Sequence, residues 1–460
     1  MGARVNRNQL DMLHGPLWNR ILQFAMPIAA TAILGQLFNA ADVAVVGNFT
    51  GAARTVSVAA VGANSALVGL VVNLFVGISL GANVVIANAI GRGDKDAVEK
   101  AVHTSVVISV VGGVIVGILA QLFAAPMMGL LNVPEEVYPY ALLYLRIYLA
   151  GLPAILLYNF EAAIFRSVGE TKTPLIVLTL SGMLNVILNL IFVAGLKMTV
   201  DGVAVATVAS NVVSSIMLFI KLRRTELIIH VEPAKLKIDG VTLRRILRIG
   251  LPAGLQSAVF SISNIVIQSA INSLGTVIMA ASSAAYNIEA ITYYILNSFG
   301  QACTTFVGQN FGAGKLARCK KALALCLIEG MICLGIAIAI ILACGRPMLA
   351  LFNSDPQVVE VGFIRLVTLM CGHCFSIFYE VMSGYMRGFG NSLTPALLST
   401  LGVCGIRICW IKWVFPLNKT FTTIMTVYPV SLCATALLVL GALLIYRPTR
   451  RFAGMFEGGE

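Results

Sequence analysis

Five carboxylates lie inside long apolar stretches of this 460-residue chain: Asp42, Glu161, Glu289, Glu329 and Glu380. A carboxylate among apolar neighbours can carry a proton, ligate a small cation or act as countercharge to an organic cation. Keeping one there is costly, so each needs a partner or a purpose. Asn39 precedes Asp42 by three residues and Gln36 precedes Asn39 by three, which places all three on one helical stripe. Ser181, Asn185 and Asn189 recur at four-residue spacing on a later apolar segment. The amides of Asn185 and Asn189 are too polar to face lipid, so both stripes should look into a cavity of the N-terminal half. The charged form of Asp42 is disfavoured in such a place. A proton, or Na+ ligated by carboxylate and amide oxygens, could therefore bind there. Asp42, Asn39, Asn185 and Asn189 form the candidate coupling-ion site, with Gln36 as a candidate substrate contact.

Glu289 shares a helical face with Tyr286, Tyr293 and Asn297. A carboxylate flanked by aromatic rings offers a desolvated organic cation a countercharge and π faces. Glu380 shares a face with His373, Ser376, Ser383 and Arg387, and Arg407 is expected as its intramembrane partner. Glu289, Tyr286, Tyr293, Glu380 and Gln36 are thus the candidate substrate-binding residues. Glu161 beside Arg166, and Glu329 toward Lys321, read as interfacial ion pairs. Pro27, fifteen residues before Asp42, removes a helical hydrogen bond and permits a kink that could respond to the charge state of Asp42.

The elements that must hold these residues follow from composition. The chain is 58% hydrophobic and only 11% charged, against about 25% charged for soluble domains, so most of it has no water to face. The apolar runs are continuous, as helices are, and not alternating, as in membrane barrels. They predict twelve transmembrane helices near 18–46, 57–82, 102–125, 137–165, 174–196, 202–222, 246–271, 279–305, 322–345, 359–384, 394–416 and 425–446. The first seventeen residues are polar and the first run is long, which predicts a retained helix and no cleaved signal.

The net charge of +12 reports orientation and not nucleic-acid binding. Of the Lys and Arg residues outside the spans, 24 fall at the termini and in alternate loops. The opposite loops hold five, Arg54, Lys197, Arg346, Lys412 and Lys419. This asymmetry predicts a multi-pass protein of the cell inner (cytoplasmic) membrane with both termini cytoplasmic, and attraction to anionic membrane lipids. Ten cysteines sit mostly within helices, so no disulfide framework is expected. Cys371-Gly-His373-Cys374 lies in mid-span, where packing explains it better than redox or metal chemistry.

The chain repeats itself at an offset of about 221 residues. Arg166-x-x-Gly169-x-x-x-Thr173-Pro174 returns as Arg387-x-x-Gly390-x-x-x-Thr394-Pro395, and Gly91-x-Gly93 as Gly312-x-Gly314. Arg20-Ile21-Leu22 with Pro27 returns as Arg245-Ile246-Leu247 with Pro252. Two six-helix lobes are predicted, 1–222 and 244–460, joined by a polar cytoplasmic linker at 223–243 and related by a pseudo-two-fold axis along the membrane normal. Bundles of this kind carry substrate near the midplane by alternating access. The repeat equivalents of Asp42, Glu289 and Glu380 are Ile267, Val68 and Asn159. The scaffold therefore folds without these carboxylates, which favours a role in transport.

The repeated R-x-x-G-x-x-x-T-P, Asn185-Val-Ile-Leu-Asn189, Asp201-Gly-Val-Ala-Val-Ala-Thr207 and Asn287-Ile-Glu289-Ala are together similar to the MATE family of multidrug and toxic-compound extrusion proteins, as is Gly300-Gln301-Ala…Gly308-Gln309-Asn310-Phe-Gly312-Ala-Gly314. The resemblance covers nearly the whole chain. It implies an all-α membrane fold of two six-helix lobes forming a V, and efflux of cationic drugs driven by H+ or Na+, with no other cofactor and a monomeric chain. Asp42 matches the first-helix aspartate of the DinF-like branch, which handles the coupling ion, and Pro27 matches the bending proline of that helix. Asn189 departs from the pattern of many bacterial relatives, which carry aspartate there.

Three other functions fit these residues less well. A flippase for a lipid-linked saccharide would want a cationic cavity, for which only Arg146, Arg365 and Arg407 are available in the spans. A membrane enzyme would need clustered histidines and acids, but His14, His103, His230 and His373 are scattered. An ATP-driven pump would need a P-loop, and the sequence contains none.

Overall fold

The computed structural model describes residues 9–130 and 133–455. The first half contains α1 (Trp18–Phe49), α2 (Arg54–Arg92), α3 (Lys95–Leu130), α4 (Tyr138–Ala150), α5 (Leu152–Ser167), α6 (Lys172–Asn189) and α7 (Val200–Arg224). The second contains α8 (Gly240–Asn272), α9 (Thr276–Gly312), α10 (Leu316–Ala350), α11 (Pro356–Gly388), α12 (Leu393–Ser399), α13 (Ile406–Cys409), α14 (Phe421–Tyr446) and α15 (Pro448–Arg451). There is no strand among the described residues.

These helices make twelve spans, each overlapping one predicted from hydropathy. The fourth is broken: α4 and α5 meet at 51°, where Gly151 and Pro153 interrupt the helical ladder. Two spans contain π-helical turns, at Leu190–Gly195 after α6 and at Thr400–Gly405 and Trp410–Val414 on either side of α13. Eleven spans, counting the bent pair as one, are long and apolar enough to cross a membrane among the described residues. The remaining span, α9, is 37 residues long and carries Asn287, Glu289, Asn297, Gln301, Gln309 and Asn310. Its polarity belongs to the interior of the second half, where Glu289, Gln309 and Asn310 are buried.

The repeated motif has a structural meaning. Gly169 and Gly390 both adopt a left-handed conformation, with φ of 88° and 84°, and end a helix as only glycine does without strain. Two helical turns are then linked tightly, because Pro174 and Pro395 fall in the first turn of the next helix, where no backbone donor is needed. One residue after each glycine a side chain caps that helix: Glu170 Oε1 accepts from Thr173 N at 3.1 Å, and Asn391 Oδ1 from Thr394 N at 3.3 Å.

The chain divides into two compact units. One is built mainly from Ala30–Ile90 and Asp94–Gly254, the other from Asp11–Ala29, Gly91–Gly93 and the chain from Leu255 onward. In the first unit Phe160, Ile86, Leu156 and Leu218 are buried in a common core, which also takes Ile229 and Val231. The segment between α7 and α8 is therefore docked, with Glu232 N donating to His103 Nε2 and Asp239 N to Thr104 Oγ1. In the second unit the segment before α1 is held by α9 and α10. Asn310 Nδ2 donates to Met12 O at 3.1 Å, Lys315 Nζ to Leu13 O at 3.0 Å and Arg318 Nη1 to Gly15 O at 2.9 Å. Two of the helices that pass from one unit to the other do so just after an internal proline. α1 changes unit between Ala29 and Ala30, after Pro27, and α8 between Gly254 and Leu255, after Pro252.

Candidate functional site

In the first unit, α1, α6 and α7 bring four polar side chains together. Asp42 is 5% exposed. Its Oδ1 accepts from Asn189 Nδ2 at 2.5 Å, and its Oδ2 faces Thr207 Oγ1 at 3.2 Å. Asn189 gives its second amide proton to Asn185 Oδ1 at 3.2 Å, and Asn185 Nδ2 reaches Thr207 Oγ1 at 3.5 Å. Thr207 Oγ1 also lies 2.9 Å from Val203 O. It has one proton, so it serves either the carboxylate or its own helix.

Two features make the cluster incomplete. Among the described residues no cation pairs with Asp42, and the buried Asn189 Oδ1 has no hydrogen-bond partner. A buried acceptor left unmade costs about 1–3 kcal/mol, and a buried carboxylate without countercharge several more. Oxygens of Asp42, Asn185, Asn189 and Thr207 thus converge with one acceptor unused, which is a donor set for a proton or a hard cation and not for a soft metal.

Of the residues expected here, Asp42, Asn185 and Asn189 are assembled. Asn39 is exposed and stands outside the hydrogen-bonded set, because three residues along a helix is a 60° step short of a full turn and the site lies to one side of the stripe. Gln36 is half-buried. Thr207 was missed as a ligand, although it closes the Asp201–Thr207 motif. A hydroxyl in an apolar helix usually bonds its own i−4 carbonyl, so its type alone carried no signal.

Two carboxylates of the second unit, Glu289 and Glu380, have arginine partners. Glu289 on α9 receives a bidentate bond from Arg365 on α11, with Nε to Oε2 at 2.9 Å and Nη2 to Oε1 at 2.6 Å. Arg365 Nη1 also donates to Ser282 Oγ at 2.5 Å. Both charged side chains are buried. The reading of Glu289 as a free countercharge is corrected: its charge is already matched. Tyr286 and Tyr293 are 53% and 44% exposed, and the Arg365 guanidinium is 6.0 Å from the Tyr286 ring. Glu380 pairs with Arg387 at 3.6 Å, one helical turn away plus three residues, and with Asn297 Nδ2 at 3.4 Å. Arg407 is not its partner. That guanidinium bonds Ser431 Oγ at 3.2 Å and Asn264 Oδ1 at 3.3 Å, and lies 4.4 Å from the Tyr428 ring. His373 Nδ1 meets Thr292 Oγ1 at 2.7 Å, so the Cys-Gly-His-Cys stretch places its histidine in packing between α9 and α11.

The interfacial pairs expected for Glu161 and Glu329 do not form. Both are buried, and neither oxygen of either side chain has a hydrogen-bond partner among the described residues. Glu161 and Arg166 are five residues apart and point to different sides of α5, while Lys321 lies eight residues before Glu329 on α10, two turns away.

Twelve spans in two repeated units around buried polar clusters define a polytopic membrane transporter. The MatE family model matches residues 27–191 and 252–411, and the chain belongs to this family. Among curated relatives, a probable multidrug resistance protein NorM of Thermotoga maritima is 28% identical over 84% of this chain and 83% of its own length. A FAD transporter of Shewanella oneidensis is 24% identical over 83% and 85%. The fold is shared with an outward-facing multidrug resistance MATE family transporter of the MOP superfamily, at a TM-score of 0.88, 22% identity and coverage of 98% of this chain and 100% of that one.

Proposed function

We propose that this protein is a secondary active multidrug exporter of the cytoplasmic membrane that antiports its substrates against H+ or Na+. It works as a monomer with both termini in the cytoplasm, the orientation favoured by the 24-to-5 distribution of basic residues. One observation carries the reading: among the described residues, a buried Asp42 that no fixed cation neutralises lies beside a buried Asn189 Oδ1 that no donor satisfies. A mobile cation supplies what both lack. Proton or Na+ binding at Asp42, Asn185, Asn189 and Thr207 then changes the packing of α1 against α6 and α7. Only a ligand with different affinity for two states can shift their balance. Pro27, just before α1 changes unit, is the natural place for that helix to bend.

Organic cations remain the proposed substrates; several relatives are named as multidrug resistance or multidrug export proteins. The exposed rings of Tyr286 and Tyr293 supply π faces, and Glu289 contributes only by exchanging Arg365 for the substrate cation. Glu380 is in the same position with respect to Arg387. A second reading of substrate charge is favoured by Arg407, which is buried and has no carboxylate partner among the described residues. A guanidinium so placed suits an anionic group on an aromatic substrate, the chemistry that a FAD transporter among the relatives must accommodate. The saccharide flippase is less well supported, since Arg365 is neutralised and Arg146 is exposed.

Proteoliposomes with H+ or Na+ gradients imposed separately test the coupling site. Asp42→Asn should leave the protein folded and inserted while gradient-driven efflux falls to the background of empty vesicles. A variant that still concentrates substrate at the wild-type rate removes Asp42 from coupling.

A further inference from the structure

The C-terminal end of α14 carries a groove of about 800 Å³ that includes none of the residues of the proposed coupling site. Its floor is apolar, from Leu398, Ala442 and Ile445, and its rim holds Arg447, Arg450 and Arg451. Ile445 is 86% exposed, a large apolar side chain open at the level where the span ends. None of the ion pairs among the described residues involves the three arginines. Arg451 stacks 5.1 Å from the Tyr446 ring, and Arg447 Nε donates to Leu444 O at 2.7 Å.

The rim is built on a fixed scaffold. Arg447 ends α14 in a left-handed conformation, φ 39° and ψ 60°, which is unfavourable for a residue with a Cβ. Its N–H closes the helix on Leu443 O at 3.0 Å. Pro448 is buried and starts α15, and Phe452 lies parallel to Phe389, with ring centres 5.9 Å apart, and 5.0 Å from Phe311. The turn that aims the arginines is thus anchored in the second unit by an aromatic cluster, and strain of this kind points to a role for the position.

The first half provides a control. At the repeat-equivalent place a smaller groove of about 310 Å³ is lined by Glu170, Thr173, Lys221, Arg224 and Thr225. Thr173 corresponds to Thr394 and Thr225 to Tyr446. Glu170 corresponds to Asn391, and each of the two caps the following helix in the same way. The first groove therefore carries its own carboxylate among its cations. The second keeps the cap, drops the acid, and has Ile445 where the first has Arg224. The duplicated site has diverged toward uncompensated positive charge over an apolar floor.

We propose that the groove bounded by Leu398, Ile445, Arg447, Arg450 and Arg451 is a binding site for the phosphate head and upper acyl chain of an anionic phospholipid. The guanidiniums take the phosphate oxygens through charge-assisted bonds, the floor takes the chain, and the location on the basic side of the membrane matches the leaflet that presents such lipids. This is independent of the coupling-ion reading and rests on the cytoplasmic placement of the C-terminus proposed above.

Native mass spectrometry of the full chain in detergent, titrated with dioleoyl phosphatidylglycerol or dioleoyl phosphatidylcholine, tests it. The wild type should retain phosphatidylglycerol at least tenfold more tightly. R447Q/R450Q/R451Q should lose that preference, while K221Q/R224Q in the first groove should keep it. Should the triple variant fail to fold, the single R450Q substitution, at an exposed position, should weaken retention about threefold; unchanged retention there overturns the proposal. Equal retention of the two lipids by the wild type also overturns it. So does displacement of phosphatidylglycerol by millimolar inorganic phosphate, which would mark a simple anion site.

Discussion

Each half of the molecule buries carboxylates: Glu161 and Glu329, one in each half, have no hydrogen-bond partner among the described residues, whereas Asp42 in the first and Glu289 and Glu380 in the second are held by partners of opposite kind. In the first unit Asp42 is held by amides and a hydroxyl, all neutral. In the second, Glu289 and Glu380 are each held by an arginine of the same unit. A carboxylate with a fixed cation gains little from a mobile one, because the new ion must first displace the old. A carboxylate with neutral partners keeps an unmet charge that only a mobile ion can match. The difference is the reason the coupling site is proposed in the first unit, and the reason structural cohesion is expected of the Glu289–Arg365 pair. Both follow from partner type, since depth of burial is nearly the same, at 5% exposure for Asp42 and 6% for Glu289.

The largest expected effect tests the structural side of this contrast. Arg365→Gln leaves Glu289 buried with its charge unmatched, which should cost about 3–5 kcal/mol of stability. Adding Glu289→Gln to that background should restore most of the loss, because two neutral amides can bond where the ions did. Thermal unfolding of the single and double variants measures the coupling directly. Asp42→Asn, by contrast, should change unfolding little. If Arg365→Gln were as stable as the wild type, the pair would not be cohesive and Glu289 would return as a free countercharge.

A smaller effect is expected at Arg407, and it tests the exception within the second unit. This guanidinium is buried, and among the described residues it has only neutral oxygens and a ring for partners, so it is the cationic mirror of Asp42. Arg407→Gln should reduce efflux of an aromatic substrate bearing a carboxylate or phosphate by about tenfold, equivalent to about 1.4 kcal/mol, while efflux of an aromatic monocation changes less than twofold. Equal losses for both compounds would make Arg407 a packing residue.

How much of this was legible beforehand depends on distance along the chain. Helices announced themselves through continuous apolar runs, and the span near 279–305, which became the more polar α9, was counted among them. The Asp42 and Asn185–Asn189 stripes could be put on one cavity because membrane amides have few places to go. What could not be read was which arginine meets which glutamate. Glu289 and Arg365 are 76 residues apart on different helices, and a helical face specifies a direction but not the neighbour it meets. Glu380 had a candidate in Arg407 and took Arg387 from its own helix. The near-neighbour rule failed the other way for Glu161, whose adjacent Arg166 is one turn and a half along and turned aside. Thr207 lay unseen for a chemical reason: its hydroxyl can satisfy itself within its own helix.

The smallest effect concerns a carboxylate in water, where the rule is reversed. Asp239 precedes α8, and its Oδ2 accepts from Thr242 Oγ1 at 2.6 Å and from Thr242 N at 2.8 Å. These bonds to the charged form hold its pKa below the ordinary aspartate range, with Lys100 and Arg245 adding weaker attraction. The sign follows from linkage. A carboxylate with a depressed pKa in the folded state contributes stability that is present above its unfolded value, about 3.9, and that is lost as pH falls through the lower folded value. Asp239→Asn keeps a side-chain oxygen able to cap the helix but removes the titration. At pH 7 its unfolding temperature should lie within about two degrees of the wild type. Between pH 4 and pH 3, on the order of the unperturbed carboxylate range, the wild type should lose stability more steeply than the variant. Parallel curves would mean that the Thr242 bonds do not distinguish the charged carboxylate from a neutral amide, and that neutral partners alone cannot hold a carboxylate in its charged form. The same inference about Asp42 would then weaken, since its amide and hydroxyl partners would no longer be enough to keep it ready for an ion.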